Sequence, residues 1–179
     1  MHGKRFDGGL ERLRATERIA RLEIERVIGL AMEGVEIHQV LDVGAGTGLF
    51  SEAFVQAGCQ VTGLDVNPDM LAAARQIVPG ADFREGLAES LPFPARSSDL
   101  VFFGLVLHET DDLYQALKEA RRVARLRAAA LEWPYQMSEF GPPLEHRLRP
   151  KVLRERALQA GFGQVEMVPL KHLLFYRME

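Results

Sequence analysis

The residues of this sequence best placed to do chemistry are small or acidic. Gly44, Gly46 and Gly48 alternate in "LDVGAGTGLF", directly after a short apolar run that carries Asp42. Glycines there let a ligand lie against the backbone and let the next helix start close to the strand. Asp65 ends a second apolar run, "QVTGLDV". It lies about twenty residues past the first glycine, where an acidic strand end can grip two ribose hydroxyls. A helix N-terminus ordinarily favours an anion. Here, however, Glu52 falls in the first turn after the glycines, Asp42 precedes them, and no Lys or Arg is near the loop in sequence. The pattern predicts a cationic or zwitterionic ligand with a ribose rather than a pyrophosphate. His108, with Glu109 beside it, is the candidate general base; such a base helps only an acceptor whose proton must leave, and a gate or structural role competes with it.

Composition bounds the setting. The chain has 179 residues, 47% hydrophobic and 26% charged, which reads as one soluble globular domain with a sizeable core. A net charge of -3 gives no bias toward nucleic acid or anionic membrane. The single cysteine, Cys59, excludes an internal disulfide and points to a reducing, cytoplasmic compartment. The N-terminus lacks the apolar core of a signal peptide, and the longest apolar stretch, Leu100 to Leu107, is too short to span a bilayer. No metal site is assigned, and homo-oligomerisation stays open.

These residues need elements to position them. A helical stripe of Ala20, Ile24, Val27, Ile28 and Ala31 predicts one helix from about Leu10 to Ala31. A strand near Gln39 to Val43 is followed by a helix from Gly48 to just before Gly58. "QVTGLDV" is a strand. "NPDMLAAARQIV" is a helix capped by Asn67, with Pro68 in its first turn. "ADFRE" and "SDLVFFGLVL" are strands. "DDLYQALKEARRVA" is an amphipathic helix with Asp112 and Gln115 as its capping box, and "RAAALEW" is a fifth strand. Pro150 opens a last helix, and a hairpin around Pro169 ends the chain, with His172 and Tyr176 on its final strand facing solvent or the sheet. The fold class is α/β: a mostly parallel sheet covered on both faces, closed by a C-terminal antiparallel hairpin strand. Residues 1–35 read as an N-terminal cap segment and residues 36–179 as the cofactor-binding body of a single domain.

Ligands of such sheets sit outside the carboxyl ends of the strands, and right-handed crossovers bring five loops to that edge. They are the glycine loop, Asp65, Gly86 to Glu89, Gly104 to Glu109, and Trp133-Pro134. In this order, "VLDVGAGTGLFSEAF", "VTGLDVNPDML", "EGLAESLPFPARSSDLVFFGLVLHE", "ALKEARRVA" and "AGFGQVEMV" resemble the S-adenosylmethionine-dependent methyltransferases with the Rossmann-like three-layer fold. The likeness is greatest to the small branch of ubiquinone/menaquinone-biosynthesis-type enzymes, and it covers residue 38 to the end. The resemblance implies S-adenosylmethionine as cofactor. Gly44, Gly46 and Gly48 would line its methionine end, and Asp42 would support that loop and the amino group. Asp65 would bind both ribose hydroxyls, and Val66 and Met70 would flank the adenine. Leu87 and Ala88 would meet the adenine edge, and Gly104 and Leu105 would lie near the sulfonium.

The chain departs from the family at two places. Leu87 stands where an aspartate often accepts from the adenine amine, so that either Glu89 substitutes or the backbone suffices. "VARLRAAALEW" lacks the usual Pro and Gly before strand five, so the connection must be tighter. With no inserted substrate domain, the N-terminal helix and residues 133–150 are the lid. Within it Trp133, Tyr135 and Phe140 would wall an apolar pocket, and Arg147 would attract an anionic substrate or form a surface ion pair. The leading function is methyl transfer to a small-molecule acceptor, with no nucleic acid and no membrane as partner. A non-catalytic S-adenosylmethionine-binding protein is one alternative. A nicotinamide-dependent oxidoreductase is the other, opposed by Leu49 where a dinucleotide fingerprint wants Gly or Ala.

Overall fold

The computed structural model describes residues 9–179. Seven strands form one sheet: β1 (Gln39–Val43), β2 (Gln60–Asp65), β3 (Asp82–Glu85), β4 (Ser98–Gly104), β5 (Ala124–Glu132), β6 (Val165–Pro169) and β7 (Leu174–Met178). Their order is β3-β2-β1-β4-β5-β7-β6. The first five are parallel, and β7 pairs antiparallel with both β5 and β6. Strand order reverses between β1 and β4, which opens a crevice at their carboxyl ends.

Alternation along the strands divides the core. Leu41, Val43, Val101, Phe103, Ala128 and Ala130 point to the face covered by α6 (Leu113–Val123) and α7 (Pro150–Gln159). Val40, Leu100, Phe102, Ala129 and Leu131 point to the face covered by α3 (Ile24–Met32) and α4 (Leu49–Gln56). Helix α5 (Pro68–Ile77) packs Leu71 and Ala74 on Phe83 of β3. Asn67 caps α5 by accepting from the Asp69 and Met70 amides, and Pro68 fills the first position, where no amide partner is needed. Asp112 caps α6 through the Gln115 amide at 3.0 Å. The Gln115 side chain donates instead to Glu89 O, so only half of the expected capping box forms. Helix α6 runs directly into β5, from Val123 to Ala124, which is the tight connection that the missing Pro and Gly imply.

The N-terminal stripe does not make one helix. It breaks into α1 (Leu10–Leu13), α2 (Thr16–Leu22) and α3. Ala15 is extended, and Glu23 sits at φ 47°. Tertiary bonds outweigh helix continuation there. Glu23 accepts the Lys171 amide at 2.7 Å and pairs with Arg26 at 3.0 Å, while Arg18 bonds the terminal Leu13 carbonyl of α1. The apolar period slips at the break, so Leu22 is buried and Ala20 is exposed. Residues 1–8 of the expected cap segment lie outside the described residues. Of the two alternatives left open for Tyr176, solvent or the sheet, the structure gives the inner one, whereas His172 is not on the final strand. Tyr176 is 2% exposed within the core, because alternation on β7 turns it inward, and His172 lies in the turn before that strand.

One glycine makes a stability prediction. Gly44 has φ +72°, and a Cβ there would fall 2.7 Å from Val106 Cβ. Gly44→Ala should therefore cost about 2 kcal/mol or more, from left-handed strain and overlap together. In a Val106→Ala background the loss should shrink only in part, because the contacts with the two Val106 methyls go while the Cβ contact and the strain stay. Urea unfolding of the four proteins measures that coupling, and strict additivity would show that the two residues do not meet.

Candidate active site

A cleft of about 1160 Å³ lies along the carboxyl ends of β1 to β5. The glycine loop, the β2–α5 junction, residues 86–89 and residues 104–110 form its floor and walls. Residues 139–143, with His146 and the α1–α2 segment, lie over it.

The glycine loop is held from behind. The Gly44 and Ala45 amides donate to Leu64 O at 2.7 and 2.9 Å. Asp65 then ties loop to loop. One carboxylate oxygen accepts the Gly46 amide at 2.8 Å, and the other accepts the Asn67 amide at 2.9 Å. Gly46, at φ +54°, borders the cleft: the nearest atom to a Cβ there is a Leu13 side-chain carbon at 3.4 Å. The other glycines make room for the protein itself. A Cβ at Gly48 would meet Phe83 and Val78 at 3.1 Å, and one at Gly104 would meet the Phe50 ring. Gly48 is not on the cleft wall, whereas Gly44, Gly46 and Gly104 are.

Two sequence inferences about charge change here. Asp42 does not reach the cleft. It is 1% exposed, on the α4 side of β1, and accepts from the Ser51 hydroxyl at 2.6 Å. Burial pushes its carboxyl up to about 7, with the Ser51 bond acting against the rise and Asp65 adding to it. The loop also has a cation, which sequence distance concealed. Arg14 pairs with Glu52 at 2.7 Å and donates to Thr47 O at 3.0 Å.

Apolar side chains converge on the far side of Asp65. Val66, Met70, Leu87 and Ala88 all line the cleft. Val66 and Leu87 are 37% and 45% exposed, a large apolar surface for a cleft wall. Glu89 is turned toward the start of α6, where one of its oxygens accepts the Asp111 amide at 2.9 Å.

Beyond Gly104 the chain makes a sharp turn. Leu105 is held at φ 63°, an uncommon conformation for a residue with a Cβ, with its amide bonded to Leu131 O at 2.9 Å. That turn delivers His108 to the cleft on a short helical turn, Leu107–Glu109. His108 Nδ1 lies 2.8 Å from Glu132 Oε2, and the His108 amide donates to Glu132 Oε1 at 3.3 Å. Glu132 is 1% exposed, at the end of β5. Sequence reasoning passed over it; the available signal was a carboxylate ending an otherwise apolar, alanine-rich strand. Burial works to lower the His108 pKa, but Glu132, aided by Glu109, outweighs burial and the opposing Arg147, leaving it above the usual imidazole value.

The lid residues divide. Trp133 and Phe140 line the cleft, and Tyr135 does not; the Arg149 guanidinium stacks on the Tyr135 ring at 5.0 Å. Arg147 is 6% exposed and off the cleft wall. Its N–H groups bond Pro134 O, Gln136 O, Ser138 Oγ, Phe140 O and Pro142 O. A guanidinium with every donor engaged is a clasp for the loop, not an anion receptor. The Arg21 guanidinium of α2 lies 3.6 Å over the Phe140 ring and joins lid to cap. Among the described residues no acidic, His or Cys cluster suits a metal ion, and no helix is long and apolar enough to cross a membrane.

Residues 41–129 match a family described as "Methyltransferase domain". A demethylmenaquinone methyltransferase of Chlorobaculum tepidum is 40% identical over 95 residues, 52% of this chain and 39% of that protein. A malonyl-[acyl-carrier protein] O-methyltransferase of Halorhodospira halophila is 32% identical over 151 residues, 80% of this chain and 49% of that protein. The chain thus spans less than half the length of these relatives. In fold it is similar to a SAM dependent methyltransferase from Aquifex aeolicus, with a TM-score of 0.82 and 22% identity over 94% of this chain and 95% of that one.

Asp42 makes the fold sensitive to pH. Its carboxyl is protonated more readily folded, near pH 7, than unfolded, near 3.8. Between those values the unfolded chain holds fewer protons, so this group's contribution to stability falls as pH rises from about 4 to about 7. Asp42→Asn, which keeps an acceptor for Ser51, should flatten that slope in urea titrations at several pH values. An unchanged slope would mean that Asp42 titrates normally.

Proposed function

Because the chain belongs to the S-adenosylmethionine-dependent methyltransferases with the Rossmann-like fold, we propose that it moves the sulfonium methyl of S-adenosylmethionine to a small-molecule acceptor held under the lid. The observation that carries this reading is the placement of Asp65. Its carboxylate stands on the cleft wall between an open glycine corner and an apolar slot. These surroundings suit a nucleoside with an amino-acid tail. Asp65 would accept the ribose hydroxyls, Val66, Met70 and Leu87 would flank the base, and the Leu87–Ala88 backbone would meet its edge. Gly44 and Gly46 would border the amino-acid end, and Gly104 and Leu105 the reacting end. When bound, the cofactor would supply a methyl carbon activated by its sulfonium, with the sulfur as a neutral thioether leaving group.

The protein's part is chiefly to position the acceptor and to exclude water. Trp133 and Phe140 give the lid an apolar inner face, and the Arg21–Phe140 contact lets the cap helices close with it. Residues 9–32 then act as a cap on the body of the same domain. A nicotinamide-dependent oxidoreductase fits less well, since Leu49 occupies the third fingerprint position. Arg14 spends its charge on Glu52 and so does little to favour a pyrophosphate.

Calorimetry should show binding of S-adenosylmethionine and S-adenosylhomocysteine and none of NAD; tight NAD binding would end this reading. Asp65→Ala should weaken S-adenosylhomocysteine by about 1.5–3 kcal/mol, the value of hydrogen bonds to a charged acceptor. Asp65→Asn separates binding from folding, since it keeps an acceptor for one loop amide. Under hydrogen exchange, cofactor plus acceptor should protect residues 139–146 and 12–21. Protection confined to residues 44–65 would mean that the acceptor binds elsewhere.

A further inference from the structure

Glu132 spends both of its carboxylate oxygens on one residue of the cleft. It is 1% exposed, ends a central strand, and both of its oxygens are committed to His108, one to the ring and one to the amide. A buried carboxylate is costly unless it is paired and hydrogen-bonded. Here the pairing also fixes the ring. With Nδ1 at 2.8 Å from the carboxylate, the imidazole proton sits on Nδ1 and the lone pair on Nε2. His108 itself lines the cleft, on the same turn that follows Gly104 and Leu105.

We propose that His108 is the general base of this site, held in its tautomer by Glu132 as a positioning residue, and that the acceptor carries a weakly acidic hydroxyl, a phenol or an enol. The proposal rests on the methyltransferase reading above. His108 Nε2 takes the hydroxyl proton. The oxygen's electron pair forms the bond to the methyl carbon, the sulfur–carbon pair returns to sulfur, and the imidazolium then passes its proton to water.

The surroundings select this acceptor class. Carboxylates flank the ring: Glu132 on Nδ1, and Glu109 at 3.7 Å from Nε2. An acceptor that arrives as an anion, as a carboxylic acid does at neutral pH, has no proton for Nε2 to take, so the base gives it nothing. A neutral hydroxyl has a proton to lose. Because the carboxylates outweigh both burial and Arg147, the ring titrates above its usual value. Transfer should therefore rise with pH through a single step there.

Histidine-labelled protein without cofactor gives the first test, by nitrogen NMR. Above its titration His108 should show a neutral ring protonated at Nδ1. Glu132→Gln should mix the tautomers and lower the titration. A ring protonated at Nε2, or a titration unmoved by Glu132→Gln, overturns the dyad. The second test follows S-adenosylhomocysteine release with a phenol, the matching benzoic acid and the matching thiol. The phenol should be methylated. His108→Gln should lower its kcat by about 10²–10⁴-fold with S-adenosylhomocysteine affinity unchanged. Methylation of the acid or thiol alone, or no transfer to any of the three despite tight S-adenosylhomocysteine binding, overturns the acceptor class. Failure to bind S-adenosylhomocysteine at all would overturn the methyltransferase reading instead, and the NMR result would still decide the dyad.

Discussion

The cleft depends on one carboxylate shared by two loops. Asp65 leaves the end of β2 and accepts the Gly46 amide on one oxygen and the Asn67 amide on the other. The first bond fixes the corner of the glycine loop. The second fixes the residue that caps α5. Two turns that would otherwise move independently are therefore registered against each other, and Leu64 O anchors the same loop from the other side through Gly44 and Ala45. Everything on the far wall, from Val66 to Met70, takes its position from this junction. Parallel pairing extends the constraint across the edge, since β1, β2 and β4 share one register and deliver their ends side by side.

The site also separates its charges by burial. Asp42, one residue before the end of β1, is sealed under α4 and neutralises readily. Asp65, on the next strand, stays on the cleft wall with amides on both oxygens. The two lie close enough for Asp65 to raise Asp42. Keeping one of them protonated removes a like-charge repulsion that would otherwise push the ends of β1 and β2 apart. Across the cleft, Glu132 is buried as deeply as Asp42 but has a different partner, an imidazole ring that it orients. Similar burial thus gives two carboxyls different roles, and the partner decides between them.

Much of this was legible in the sequence. Alternation of strands and helices, the glycine loop, the Asn67 cap and Asp65 are all local signals, carried by neighbouring residues. What escaped was non-local. The Arg14–Glu52 pair spans 38 positions and the His108–Glu132 pair 24, and no periodicity links such residues. The break at Glu23 was hidden for the same reason, because the amide that it binds belongs to Lys171. The glycines misled in another way. A glycine can mark a ligand or a close-packed neighbour, and only the surrounding side chains distinguish Gly46, which opens on the cleft, from Gly48, which makes room for Phe83 and Val78.

Arg147 shows how residues 134–142 are ordered without regular structure. A segment of this length would cost much conformational entropy to order on each binding event. A guanidinium buried away from any carboxylate would also be expensive on its own. Each cost offsets the other. The five N–H groups of Arg147 find oxygens on residues 134–142, which folds the loop around them, and the loop in turn supplies the hydrogen bonds that let the charge be buried. Gly141 completes the arrangement by letting the backbone pass against the Trp133 ring, where a Cβ would sit 2.6 Å from the ring atoms. This part of the cleft wall is thus held together by its own residues. The seam left to open is the one between lid and cap, where Arg21 rests on Phe140.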